Sequence, residues 1–242
     1  MNKNNKILLN DLGLCSYKKA WEIQENLLTQ IINQKLNNRK NKTSIDTKNH
    51  ILFVEHSPVI TIGKSGDKNN LLINKKQLED LKIEYFKTNR GGDITFHGPG
   101  QIVVYPILDL ENFFTDIHKY LRLLEETVIL TNNEFNLKTE RSSGETGVWI
   151  DPESQHARKI CSIGVKASRW VTMHGFALNV NTDLDYFNHI IPCGIHGKKV
   201  TSLKNELNKE ISIDRVKTLI KKNFEKLFNA KIEEKISSFR KL

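Results

Sequence analysis

Cys193 lies in the segment IIPCGIHG, between Pro192 and Gly194. Those neighbours impose a turn and set the thiol at a backbone bend, a placement unlike that of a packed structural cysteine. A free thiol titrates at about pH 8.5 and is only a few per cent thiolate at neutrality, so a cation lowering its pKa by about two units would ionise most of it and create a nucleophile. Lys159 is a candidate for that cation. It opens KICSIGV, and on a strand Lys159, Cys161, Ile163 and Val165 share one face, which puts the ammonium at a strand end beside apolar packing. Partial desolvation lets such a lysine exchange protons near neutral pH, and its charged form stabilises a thiolate. The same residues also admit plainer readings, an inert cysteine in a turn and an exposed lysine at a strand edge. Cys161 is the rival nucleophile, but its apolar strand context suits a packed thiol.

The second chemical feature is segment 90–101, RGGDITFHGPGQ, with four glycines and a proline in twelve positions. Glycine permits left-handed dihedrals and close approach of main chain to a ligand, so exposed N–H groups here could bind an oxygen or a phosphate. A simple turn is the alternative. The spacing is neither GxxxxGK[ST] nor GxGxxG, so no nucleotide site follows. His97 and His174 each precede a glycine, and with Cys193 they would suit a Cys-His hydrolase or a metal site. No HExxH, CxxC or short histidine pairing is present, and we expect no metal, the histidines serving instead to orient the glycine-rich backbone.

The elements that must position these groups are legible in part. Beyond Tyr17, residues Ala20, Trp21, Leu27, Leu28, Ile31 and Ile32 recur at helical spacing, and the polar tract at 35–50 reads as a long exposed loop. Strands are expected at 51–54, 59–63, 83–86 and 101–110, with Pro58 and Pro106 at strand starts or edges. Thr115 or Asp116 can cap a helix burying Ile117, Tyr120, Leu121, Leu124 and Val128. Further strands are expected at 146–150, 159–165 and 174–180, separated by polar turns, and Ser212 opens a last helix with Val216, Leu219, Ile220, Phe224 and Leu227 inward. No internal repeat is evident. These elements imply an α/β chain of the α+β type, a mixed or mainly antiparallel sheet with flanking helices in a single domain, too irregularly interleaved for a doubly wound nucleotide fold.

Bulk composition bounds the function. With 38% hydrophobic and 27% charged residues the 242-residue chain falls in the soluble globular class, and no apolar run approaches a membrane span. Its first ten residues, MNKNNKILLN, lack the apolar stretch of a secretory signal, and three cysteines without paired spacing suggest free thiols in a reducing compartment, so a cytoplasmic location is expected. The net charge of +9 fits an acidic protein partner or a well-solvated Lys- and Asn-rich surface. Nucleic acid is not expected, because the basic residues are scattered and no recognition module appears.

Taken in order, EHSPVITIG (55–63), RGGDITFHGPGQIVVYP (90–106), GVW (147–149), KICSIGVK (159–166), HGFALNV (174–180) and IIPCGI followed by VTSL resemble the lipoyl(octanoyl) transferase family. The resemblance runs from about Leu12 to Leu207, and its RGGxxTxHGPGQ and PCGI blocks are highly specific. It implies a single domain over 1–242 of the biotin/lipoate protein ligase-like fold, with 35–50 an insertion and 208–242 a helical tail. It implies transfer of an octanoyl group from octanoyl-acyl carrier protein to a lysine of lipoyl domains, those of 2-oxoacid dehydrogenase complexes and the glycine cleavage H protein, with no cofactor. The catalytic cysteine falls on Cys193 and the lysine that lowers its pKa on Lys159. The acyl chain falls to Arg90, Gly91, Gly92, Asp93, Ile94, Thr95, Phe96 and His97, to Ser162, Ile163 and Gly164, and to Gly175, Phe176 and Ala177. A tunnel for an unbranched chain needs apolar walls and little side-chain obstruction, which these small-residue stretches offer.

Overall fold

The computed structural model describes residues 4–192 and 199–234. Strand β1 (Lys6–Cys15) leads into helix α1 (Tyr17–Asn41), whose N-terminus is capped by the Ser16 hydroxyl accepting from Lys19 N. This helix reaches well into the tract expected to be an exposed loop. The loop is only residues 42–48, because polar side chains hold the last two turns: Lys35 Nζ reaches Asp109 Oδ1 at 2.6 Å and Arg169 O at 2.8 Å, and Asn38 exchanges hydrogen bonds with Ile45.

Strands β2 (Asn49–His56), β3 (Val59–Ile62), β4 (Glu84–Lys87), β5 (Ile94–His97) and β6 (Gln101–Ile107) follow, with short α2 (Lys75–Asp80) before β4. Helix α3 (Ile117–Asn133) starts at Asp116, which accepts from Lys119 N at 2.9 Å. The chain continues through β7 (Glu140–Ser142), β8 (Glu145–Ile150), β9 (Arg158–Ser168), β10 (Val171–Asn179), β11 (Lys199–Val200), α4 (Leu203–Leu207), α5 (Ile213–Phe228) and β12 (Lys231–Glu234). The last element departs from a purely helical tail. β12 pairs in parallel with β1, Lys6 opposite Lys231, so the two ends of the chain complete one edge of the sheet.

The main sheet runs β12-β1-β2-β6-β10-β9-β8-β7, with β11 added in parallel to β9, and a small sheet runs β4-β3-β5. It is mixed, since β12, β1 and β2 are parallel and β6, β10, β9, β8 and β7 alternate in direction. Central strands are buried on both faces and so read as continuous apolar runs. Phe53 and Val104 meet Tyr120 and Leu124 of α3 and Ile220 and Phe224 of α5, while Leu52, Val54 and Val103 meet Leu27, Leu28 and Ile31 of α1 on the other face. The period-two alternation of one strand thus serves two helical layers. Pro58 precedes β3 as expected, but Pro106 lies within β6. It is tolerated there because the β10 ladder ends at Val104, leaving Pro106 paired only with Ile51.

Strand β10 begins three residues earlier than its apolar pattern suggests, and a two-residue turn of Arg169 and Trp170 joins it to β9. Both turn residues have positive φ, 50° and 66°, where glycine or asparagine would be usual, so the turn carries no sequence signal. Among the described residues no helix is long and apolar enough to cross a membrane.

Candidate functional site

A cavity of about 390 Å³ opens between the glycine-rich segment, β9 and β10. From the glycine-rich segment Arg90, Gly92, Asp93, Ile94, Thr95 and His97 line it; from β9 come Lys159, Ser162, Ile163 and Gly164; from β10 come Gly175, Phe176 and Ala177. The glycine-rich segment therefore meets two stretches some sixty to eighty residues further along the chain, which are themselves hydrogen-bonded neighbours, Gly164 opposite Gly175.

Two of the expected residues stand back from the cavity. Gly91 donates its N–H to Val165 O at 2.9 Å and so clamps the segment onto β9. That clamp is tight: a Cβ on Gly164 would lie 2.8 Å from Gly91 O, which is why a side chain is excluded there. Phe96 points the other way along β5, stacking on Tyr186 at 4.6 Å between ring centroids and meeting Phe187 edge-on at 5.6 Å in the core of the small sheet. Strand alternation, with Thr95 and His97 on the cavity side, accounts for it.

Lys159 is 6% exposed and its Nζ lies 4.5 Å from the Trp149 ring centroid, over the face of the indole. The arrangement depends on an irregularity between β8 and β9: Val148 pairs with Cys161 but Trp149 pairs with Lys159. Gly147 supplies the bend with φ +133°, and a Cβ there would fall 2.7 Å from Cys161 O and 3.3 Å from Lys159 Cε. The bend is held from α3. Fully buried Glu125 accepts from Gly147 N at 3.1 Å through Oε1 and from Arg141 Nε at 2.9 Å through Oε2, which also meets Arg122 at 2.9 Å. Glu125 was not singled out from sequence, although an acid four residues after Leu121 and three before Val128, on the buried stripe of α3, is a readable signal.

The rival thiol is disposed of by packing. Cys161 is fully buried in the core, and burial pushes its pKa up far from the thiolate range despite the opposing effect of Lys159. Cys193 lies outside the described residues. The flanking residues are placed: Ile191 N donates to Asn70 O at 2.8 Å, Val200 pairs with Lys159, and Thr201 N donates to Lys159 O at 2.9 Å. Residues 199–201, which follow that segment in sequence, therefore lie along the backbone of Lys159.

The opposite wall holds groups that sequence reading missed, Tyr17 and Tyr105, together with His97 and His174 and, behind them, His56. His56 Nδ1 lies 2.8 Å from Cys15 O, which can only accept, so the proton is on Nδ1 and Nε2 accepts from Tyr105 Oη at 2.8 Å. His174 Nε2 lies 2.8 Å from Asn89 Oδ1; because Asn89 Nδ2 donates to the Glu25 carboxylate at 3.0 Å, the proton of His174 is on Nε2. His174 also has φ +58°, a strained conformation for a residue inside a strand. Burial lowers the pKa of His56 to about 4 and those of His97 and His174 to about 3, His97 being further opposed by its neighbours His56, Arg90 and His174. Burial likewise raises Tyr17 to about 12. All are uncharged at pH 7. Among the described residues no group of three or more His, Cys, Asp or Glu is arranged to hold a metal ion.

This geometry has known counterparts. The model of the lipoyl protein ligase A/B catalytic domain matches residues 16–225. An octanoyltransferase of Flavobacterium johnsoniae is 61% identical over 230 residues, 95% of this chain and 99% of its own length, and one of Christiangramia forsetii is 59% identical over 231 residues with the same coverage. Among solved structures, the lipoate protein ligase of a bipartite archaeal lipoylation system from Thermoplasma acidophilum superposes with a TM-score of 0.69 at 16% identity, covering 97% of this chain and 88% of that one, which establishes the shared fold.

Proposed function

The chain belongs to the lipoyl(octanoyl) transferases within the lipoyl protein ligase A/B family, and from that premise we propose that it takes octanoyl from octanoyl-acyl carrier protein, holds it as a thioester on Cys193 and passes it to a lipoyl-domain lysine. It is an acyltransferase that acts in protein lipoylation; the donor, the acceptors and the covalent intermediate are our reading. The observation that carries it is Lys159, a buried lysine in the wall of a glycine-rich cavity, whose backbone pairs with the strand that follows the Cys193 segment in sequence.

In the first half-reaction the Cys193 thiolate attacks the carrier thioester carbonyl. The tetrahedral intermediate collapses with cleavage of the carbon–sulfur bond to pantetheine, and protonated Lys159 gives its proton to the departing thiolate. In the second, the amine of the acceptor lysine attacks the Cys193 thioester, neutral Lys159 takes the amine proton, and the cysteine leaves as thiolate while an amide forms. Backbone N–H groups stabilise each oxyanion. Thioester to amide is downhill, so no ATP is consumed and no cofactor is needed. Ile163, Phe176 and Ala177 offer the acyl chain apolar contact, and the glycines keep the passage open. The net charge of +9 suits acidic carrier and lipoyl domains, such as those of 2-oxoacid dehydrogenase complexes and the glycine cleavage H protein, by raising encounter rates.

An assay with a lipoyl domain as acceptor tests the donor assignment. Transfer from octanoyl-acyl carrier protein without ATP is expected, and transfer that requires free octanoate and ATP would replace this reading with an acid-activating ligase.

A further inference from the structure

The chemistry proposed above leaves three buried polar residues unused, Gln101, Asn179 and Thr201, which are 2%, 5% and 0% exposed. They form a continuous line from His97 at the cavity to the backbone of Lys159, and every hydrogen bond in it has a fixed sense. Thr201 O can only accept, so the Asn179 atom 2.9 Å from it is the donor Nδ2, and Asn179 Oδ1 is left to accept. Gln101 Nε2 donates to that oxygen at 2.8 Å and gives its other hydrogen to Phe96 O at 3.2 Å, a second carbonyl that can only accept. Both amides are thereby oriented without ambiguity. Gln101 Oε1 then faces His97 Nδ1 at 2.7 Å, so the neutral imidazole carries its proton on Nδ1 and Nε2 is the acceptor atom.

The other end of the line is anchored equally firmly. Thr201 N donates to Lys159 O, and the Thr201 hydroxyl donates to Glu206 Oε1 at 2.6 Å. Glu206 in turn grips Arg158, the residue before Lys159, through two bonds of 2.7 Å. One directional network therefore sets the tautomer of a histidine on the acyl wall and ties β11, the strand following the Cys193 segment, to the lysine.

We propose that Gln101 and Asn179 are positioning residues, an amide relay that locks His97 as its Nδ1–H tautomer and fastens the strand returning from Cys193 against Lys159. Its kinetic consequence rests on the octanoyl-transfer reading, whereas the tautomer does not.

The test uses full-length protein labelled with ¹⁵N-histidine, the His97 signals being assigned with His97→Asn. At pH 7.5 the wild type is expected to show a pyrrole-type Nδ1 and a pyridine-type Nε2. In Gln101→Met the two nitrogens should average, and kcat for transfer should fall about tenfold with KM for the octanoyl carrier changed less than about twofold, as for loss of an interaction that orients rather than binds. A wild-type Nε2–H tautomer would overturn the proposal, as would a folded Gln101→Met with wild-type kcat. If Gln101→Met does not fold, the wild-type spectrum alone decides. If the wild type transfers no octanoyl group, the spectrum still reads the relay, so the two failures are separable.

Discussion

The two walls of the cavity treat ionisable groups in opposite ways. On the β9 side a lysine is kept among aromatic and backbone partners, its position set by the Gly147 bend and the Glu125 carboxylate behind it. Elsewhere on or just behind the lining, three histidines and two tyrosines from α1, β2, β5, β6 and β10 are packed so that burial favours the neutral form of each. In the proposed mechanism proton traffic falls to Lys159, and the histidine wall shapes and orients. A buried ionisable group is costly unless partners accompany it, and the Gly147 bend falls where Lys159 and Glu125 are buried.

The largest effect that would sharpen this comparison is on catalysis. Lys159→Met, which keeps the volume and removes the ammonium, is expected to lower the transfer rate by about 10²–10⁴-fold, the usual range for loss of a positioned acid–base group. Single-turnover kinetics would check it, and a rate within tenfold of wild type would move proton transfer to the other wall.

Next in size is the acid stability of the histidine wall. His56, His97 and His174 have folded pKa values of about 4, 3 and 3, below the unfolded value of 6.5. Between those limits the unfolded chain binds more protons, so stability rises with pH and is lost as pH falls from 6.5 towards 4. Each histidine contributes a slope of up to about 1.4 kcal/mol per pH unit. Thermal melts should therefore show a steep fall in Tm below pH 6, made shallower by His174→Gln; a flat profile between pH 7 and 5 would contradict the neutral cluster.

Smaller still is the support of the lysine wall. Glu125→Ala leaves Gly147 N–H without its acceptor and should cost about 1–3 kcal/mol, or several degrees in Tm for a chain of this size. Arg122 and Arg141 are partly exposed and can rehydrate, which keeps the cost below that of a fully buried pair. The smallest expected effect is Cys161→Ala, a loss on the order of 1 kcal/mol with transfer intact, since that thiol packs in the core and makes only a weak hydrogen bond to Ser162 O. A Cys161→Ala protein that folds but transfers nothing would exchange the roles assigned to the two cysteines.

Much of this was readable before the fold. Runs such as ILFV and QIVVYPI announced central strands, Asp116 and Ser212 announced helix starts, and the small-residue stretches announced the cavity. What was missed depends on partners far apart in the chain. β1 carries only a short apolar patch because β12, some 225 residues away, covers its flank. The end of α1 looked like loop because the groups that hold it, Asp109 and Arg169, lie on other elements. The tautomers of His56 and His174 follow from a carbonyl and an amide 41 and 85 residues distant, and Phe96 left the cavity through alternation in a strand too short to show a period. Spacing identifies residue types suited to a reaction; the fold decides which of them meet.

The most direct measurement is intact-protein mass spectrometry after incubation with octanoyl-acyl carrier protein and no ATP, comparing wild type, Cys193→Ala and Cys161→Ala. The account predicts one octanoyl adduct, sensitive to hydroxylamine, in wild type and Cys161→Ala and absent from Cys193→Ala. No adduct on a wild-type protein that still transfers octanoyl, or an adduct that survives in Cys193→Ala, would contradict it.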